Sequence, residues 1–228
     1  APVLQKGNAT VVELEDGDRV AVEPHKGCGR CENCLRGNYT TCLNYGKVEM
    51  GHRHYGFATS GGYADYAACH VNTLHKLPDD IDFEQGTMLT GAGTVLYGYE
   101  RIGWVVPGET VVVTGPGAIG LMSAHLAKVL GAGRVILTGT REDRLAVGRQ
   151  LGVDITINVR EENPLERVME LTDGIGADMV VECTGQSQAA AEALHMARKN
   201  GRISYNGIYH DPVTLELDKI VQWNLKIT

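Results

Sequence analysis

A short β-branched run that ends in a glycine-rich turn and opens onto a helical stretch constrains this chain most. Thr110-Val-Val-Val-Thr114 suits a strand buried on both faces. It runs into Gly115-Pro116-Gly117-Ala118-Ile119-Gly120, a G-x-G-x-x-G pattern, then into a helix from Leu121 to Leu130 with Gly131 as its C-terminal cap. Alone, such a pattern is weak, because glycine-rich turns also arise from packing. Between a strand and a helix it predicts a dinucleotide site. Gly115 makes the turn, Gly117 lets backbone N–H groups approach a pyrophosphate, and Gly120 packs helix against strand.

The rhythm continues downstream. Strands are predicted at Arg134–Thr138, Ile155–Asn158, Asp178–Glu182 and Arg202–Tyr205, with the start of another at Leu225–Thr228. Helices are predicted through Arg144 to Gly152, from Asn163-Pro164 as N-cap and first turn, and over Gln188–Lys199 with a stop at Gly201. This alternation predicts an α/β fold, a doubly wound parallel sheet covered on both faces.

Coenzyme identity is read at the tip of the second strand, where an NAD site usually carries Asp or Glu. Here the strand ends in Gly139-Thr140-Arg141. The glycine leaves room, the threonine offers a hydroxyl, and the guanidinium can fork onto a 2′-phosphate. NADP(H) is therefore favoured over NAD(H), and an Asp at 139 is expected to reverse the preference. In the competing reading Arg141 is a solvated helix-start residue and Glu142 or Asp143 holds the ribose.

A second constellation lies upstream. Cys28, Cys31, Cys34 and Cys42 are spaced C-x2-C-x2-C-x7-C. Four thiolates at such intervals can close a tetrahedron around a structural Zn²⁺ at ~2.3 Å, with no position left for water. Two disulfides and an iron–sulfur cluster are the alternatives.

Composition narrows the function classes. Lys and Arg number 21 against 28 Asp and Glu, a formal charge of −7, which excludes nucleic-acid binding by bulk positive charge. No apolar run reaches the ~18 residues of a membrane span and no leader pattern opens the chain, so a cytoplasmic protein without membrane partners is expected.

The combination resembles the zinc-dependent medium-chain dehydrogenases, the family of alcohol, sorbitol, threonine and butanediol dehydrogenases. The residues that carry the resemblance are Gly17-Asp-Arg-Val-Ala-Val-Glu-Pro24, the four-cysteine lobe, Gly61-Gly-Tyr-Ala-Asp-Tyr66, Lys76-Leu-Pro78, Gly115 to Gly120 and Val181-Glu-Cys-Thr-Gly185. It covers essentially the whole chain. It implies a partial GroES-like catalytic domain over 1–94, with a zinc lobe at 27–43, joined to a Rossmann-type coenzyme domain over 95–228. The substrate cleft would lie between them. By the same resemblance the four cysteines bind structural zinc and Gly115 to Gly120 hold the pyrophosphate. Gly139 to Arg141 would hold the adenosine ribose and its phosphate, as a similar Gly-Ser-Arg does in NADP-using bacterial secondary alcohol dehydrogenases. Thr184 and Gly185 would line the adenosine side, with Asn206, Gly207 and Ile208 near the nicotinamide. A small alcohol or polyol is the implied substrate, and a homodimer or homotetramer paired through the coenzyme domain's edge strand the implied assembly.

The departures are as informative. Family members carry an early Cys and a Gly-His-Glu that supply catalytic-zinc ligands upstream of Gly-Asp-Arg-Val. The sixteen residues before Gly17 contain neither Cys nor His, and Leu89-Thr-Gly-Ala-Gly93 lacks the Glu, Asp or Cys that relatives often place there. The chain is expected to be an interior fragment, inactive alone, with catalytic Zn²⁺ only in the intact parent. The other reading is a non-catalytic zinc- and dinucleotide-binding protein.

Other residues are assigned plainer roles. His52 and His54 are expected to be a solvated pair or cleft lining rather than metal ligands. Cys69 and Cys183 are expected to behave as small apolar core residues. Ala189–Ala193 should pack a helix, and Glu13, Glu15 and Asp16 should form a solvated acidic turn.

Overall fold

A computed structural model describes residues 14–228. The chain divides into two compact units between Thr90 and Gly91.

The first unit is built from short elements. Strand β1 (Val20–Val22) is followed by β2 (His25–Lys26), helix α1 (Glu32–Leu35), β3 (Arg53–His54), β4 (Leu74–Lys76) and helix α2 (Phe83–Gly86). β1 pairs antiparallel with β4, Val20 opposite Lys76, and β2 pairs antiparallel with β3, His25 opposite His54. Leu14 and Val20 are buried, with Val71 and Leu74 packed against them. Asp82 and Gln85 form a reciprocal capping box that starts α2. The acidic turn at Glu15 and Asp16 is exposed, as expected, and Asp18 pairs with Lys76 at 2.8 Å. Glu13 lies outside the described residues.

Helix α3 (Leu89–Ile102) starts at the division and leads into the second unit, which alternates thereafter: β5 (Thr110–Thr114), α4 (Ala118–Val129), β6 (Arg134–Gly139), α5 (Glu142–Gln150), β7 (Ile155–Asn158), α6 (Pro164–Leu171), β8 (Ala177–Glu182), α7 (Ser187–Met196), β9 (Ala197–Tyr205), α8 (Leu217–Gln222) and β10 (Lys226–Ile227). The six strands form one parallel sheet in the order β10-β9-β8-β5-β6-β7. The chain winds outward from β5 in both directions, which is the doubly wound topology. Its switch point lies at β5, where ligands of such sheets bind beyond the strands' carboxyl ends.

Burial explains why β5 reads as an unbroken apolar run. Val111 and Val113 join a core with Tyr99, Ala124 and Ala127, whereas Val112 joins another with Ile136, Val180 and Leu194. A strand covered on both faces has no reason to alternate apolar with polar residues. Ala190 and Ala193 are buried on α7, as expected of small helix-packing residues. The Asn163 side chain caps α6 and Pro164 occupies its first turn.

One element departs from the sequence reading. The helix expected over Gln188–Lys199 ends at Met196, and residues 197–201 open β9 instead. Ala197 is 1% exposed and pairs with Ala177 across a bulge, while Asn200, at φ +59°, donates its N–H to Trp223 O at 2.7 Å. Sheet pairing and burial here override the helical preference of Ala, Arg and Lys.

Candidate coenzyme site and zinc lobe

The dinucleotide turn closes on itself. Gly115 has φ +91° and donates its N–H to Thr138 O at 2.9 Å, tying the end of β5 to β6. A Cβ on Gly120 would stand 1.8 Å from Gly115 O, so only glycine lets α4 start this close beneath the turn. Gly117 is the N-cap of α4 and offers no side-chain cap. No atom lies within 4 Å of where its Cβ would stand. The first-turn N–H groups of α4 form the positive end of a twelve-residue helix, with no acidic side chain in the first turn. This suits an anion.

Pro116 leans on the second strand's tip. A Cβ on Gly139 would stand 2.4 Å from Pro116 Cδ, so the space expected to admit a phosphate at Gly139 is filled by the loop itself. Beyond it, Thr140 is exposed and Arg141 is the N-cap of α5. The Arg141 guanidinium grips Asp143 through Nη2–Oδ2 at 2.8 Å and Nε–Oδ1 at 3.3 Å, with the side chains 53% and 65% exposed. This hydrogen-bonded pair raises the Arg141 pKa and lowers that of Asp143. Glu142 is held by Arg149. Both carboxylates proposed as ribose acceptors are thus engaged by arginines.

Thr184, Gly185, Gly207 and Ile208 converge near Gly115. A Cβ on Gly115 would meet Thr184 Cγ2 at 2.7 Å, and a Cβ on Gly185 would meet Ile208 O at 2.5 Å. Asn206 accepts from Ser204 Oγ at its Oδ1, 3.1 Å away. Behind these groups lies a residue of the Val181–Gly185 motif to which the sequence reading assigned no role. Glu182, 0% exposed, accepts hydrogen bonds from Thr114 Oγ1 at 3.3 Å, Thr184 N at 2.6 Å, Gly185 N at 3.3 Å, Thr184 Oγ1 and the Tyr209 hydroxyl. Its signal in the sequence was a charged residue directly after the apolar stretch Met179-Val-Val, at the strand's carboxyl end. Burial raises the Tyr209 phenol pKa, reinforced by the hydrogen bond to Glu182. Burial pushes the Tyr205 phenol up to about 12, with the charge of Glu182 adding to it.

The four lobe cysteines converge. Their Sγ atoms all lie within 4.8 Å of one another, with Cys28–Cys34 at 4.0 Å and Cys31–Cys42 at 3.9 Å. A tetrahedral Zn²⁺ with ~2.3 Å bonds requires sulfur separations of about 3.8 Å, so the arrangement fits. The sulfurs are not bonded as disulfides. Gly27 belongs to the packing, since a Cβ there would stand 2.6 Å from Cys34 Sγ. Backbone N–H groups of Cys28 and Asn44 point at Cys42 Sγ at 3.4 Å, and Asn44 Nδ2 points at Cys28 Sγ at 3.3 Å. Donors aimed at sulfur favour thiolates. The Arg30 backbone N–H and the Asn44 amide bring Cys28 down to about 6, while desolvation pushes Cys34 up to about 12. Cys69 and Cys183 have raised pKa values, both through burial, in keeping with unreactive thiols.

The histidines correct an expectation. His52 is not solvated but 0% exposed. Its Nδ1 accepts from Gly46 N at 3.2 Å, so its Nε2 carries the proton and donates to His25 Nε2 at 3.2 Å. The His54 ring shares a hydrogen bond of 2.6 Å between its Nδ1 and the Tyr45 hydroxyl, and stacks on Phe57. Ring packing against His25 and Tyr45 pulls the 52–54 segment inward.

Known proteins place this architecture. The Zinc-binding dehydrogenase family matches residues 118–228, and the Alcohol dehydrogenase GroES-like domain matches residues 2–79. The chain belongs to the zinc-dependent medium-chain dehydrogenase family. It is 35% identical over 215 residues to sorbitol dehydrogenase of Halalkalibacterium halodurans, covering 92% of this chain and 60% of that protein. It is 34% identical over 212 residues to L-threonine 3-dehydrogenase of Pyrococcus horikoshii, covering 91% and 57%. Among solved structures, a zinc-binding dehydrogenase from Sinorhizobium meliloti bound to NADP superposes with a TM-score of 0.90 at 25% identity, covering 99% of this chain and 65% of that one. An alcohol dehydrogenase from Thermus sp. ATN1 gives 0.81 at 28%, covering 96% and 63%. The chain thus spans about 60% of the length of the curated relatives it matches. Among the described residues no helix is long and apolar enough to cross a membrane.

Proposed function

We propose that this chain carries the coenzyme-binding and structural-zinc parts of an NADP(H)-dependent alcohol or polyol dehydrogenase. The observation that carries the reading is the uncapped N-terminus of α4 beneath the Gly115–Gly120 turn, at the switch point of the sheet. Gly115, Pro116, Gly117, Ala118, Ile119 and Gly120 hold the pyrophosphate. Thr140 and Arg141 hold the 2′-phosphate. Thr184 and Gly185 line the adenosine side, and Asn206, Gly207 and Ile208 lie near the nicotinamide. Cys28, Cys31, Cys34 and Cys42 hold a structural Zn²⁺, which supplies cross-linking and no chemistry, since four thiolates leave it no open position.

The preference for NADP(H) rests on Arg141 and on the missing carboxylate at the strand tip. NADP in the S. meliloti relative supports it. Hydride transfer in such an enzyme is assisted by a second, Lewis-acid zinc. No Cys or His stands before Gly17 to hold one, so the 228-residue polypeptide itself is proposed not to oxidise alcohols. The whole protein is proposed to act in the cytoplasm as a homodimer or homotetramer.

Fluorescence titration of the purified chain with NADPH and NADH tests the coenzyme reading. Tighter binding of NADPH is expected, and failure to bind either overturns it. Zinc-dependent turnover of a panel of alcohols and polyols by this polypeptide would overturn the claim of inactivity.

A further inference from the structure

Glu182 is a charged side chain with no exposure, at the carboxyl end of a central strand. Burying a carboxylate is costly unless its oxygens are well satisfied, and an apolar residue of similar size would often serve stability as well. Its partners come from three separate segments. Thr114 ends β5, Thr184 and Gly185 form the turn after β8, and Tyr209 lies in the loop after β9. The backbone carbonyl of the same residue accepts from Asn206 N at 2.7 Å and Gly207 N at 3.0 Å. A Cβ on Gly207 would stand 2.7 Å from Glu182 Oε2 and 2.5 Å from Gly185 N, so the loop closes directly onto the carboxylate and the turn. Thr184, held by Glu182 at both N and Oγ1, packs in turn against Gly115.

We propose that Glu182 is a positioning residue of the coenzyme site: its carboxylate clamps the 183–185 turn to the 206–209 loop, so that the backbone presented to the coenzyme keeps one shape. This rests on the dinucleotide reading above. Glu182 touches no reacting atom. It acts through Thr184 and Gly185 on one side and through Tyr209 on the other. Because the two sides serve different halves of the coenzyme, they can be loosened separately.

Two variants test the clamp, each titrated with NADPH and with 2′,5′-ADP, which lacks the nicotinamide half. Glu182→Gln turns one oxygen into an N–H donor facing donors that are already there. It is expected to weaken NADPH by about tenfold and 2′,5′-ADP by several-fold. Tyr209→Phe removes only the hydroxyl on the loop side. It is expected to weaken NADPH by about fivefold, to diminish the change in nicotinamide emission on binding, and to leave 2′,5′-ADP within twofold of wild type. If Glu182→Gln does not fold, Tyr209→Phe decides. Wild-type affinity for NADPH in Tyr209→Phe overturns the proposal. So does equal weakening of both ligands in step with a lowered thermal midpoint, because that marks a purely structural contact. A wild-type chain that binds neither ligand refutes the dinucleotide reading itself, and the clamp falls with it.

Discussion

Pro116 occupies the space that any side chain on Gly139 would need, since a Cβ there would come within 2.5 Å of both Pro116 Cγ and Cδ. The strand tip and the dinucleotide turn are therefore one packing unit. Gly139→Asp is the substitution that the sequence alone nominates for switching coenzyme preference. In the structure it must first displace the turn, and overpacking of this kind typically costs about 1–3 kcal/mol. The expected outcome is weaker binding of both NADPH and NADH with a lowered thermal midpoint of the second unit. A clean gain of NADH affinity at unchanged stability would show that Pro116 yields without cost.

Arg141 should discriminate between the coenzymes. Arg141→Ala is expected to lower NADPH affinity by about tenfold while NADH changes less than twofold. The loss is no larger because the side chain is exposed and must leave Asp143 to reach a phosphate. Paired titrations of wild type and variant check this. Equal losses for both coenzymes would remove Arg141 from the 2′-phosphate site.

One zinc per chain is expected by elemental analysis, with no iron and no visible absorption from a cluster. Cys34→Ser should lower the zinc content and the thermal midpoint of the first unit, yet leave NADPH binding within about twofold, because the lobe and the coenzyme turn belong to different units. Iron at stoichiometric levels would favour the cluster instead.

Acid should loosen the first unit through His25 and His52. Burial lowers the pKa of both, and the neighbouring His54 lowers them further; Arg53 and Lys26 add to the effect on His52, while Glu23 partly opposes it on His25. Neutral rings are required, because His52 Nε2–H donates to an unprotonated His25 Nε2. The unfolded chain takes up protons near the ordinary value of about 6.5, before the folded one does. This contribution is thus present above that pH and is lost as pH falls through the depressed folded values. With zinc in excess, the thermal midpoint should drop between pH 7 and pH 5. His25→Gln keeps an acceptor for His52 without titrating in this range, so its drop should be smaller. Identical profiles for the two proteins would exclude the pair as the cause.

The sequence alone determines the local features of this protein. The spacing of Cys28, Cys31, Cys34 and Cys42, the strand–glycine turn–helix order at 110–130 and the cap at Asn163-Pro164 all lie within short windows. Periodicity, ligand spacing and capping chemistry act over such windows, so the parallel α/β fold followed from them.

Only the tertiary structure decided which distant groups meet. Glu182 finds Thr114 68 residues away and Tyr209 27 residues away, and His52 finds His25 at the same separation of 27. Residues 197–201 became strand because Ala177 was there to pair with, and Gly139 is glycine because Pro116 lies on it. Burial and close contact between segments far apart in sequence depend on where the sheet and turns place them. No short stretch of chain encodes that placement by itself.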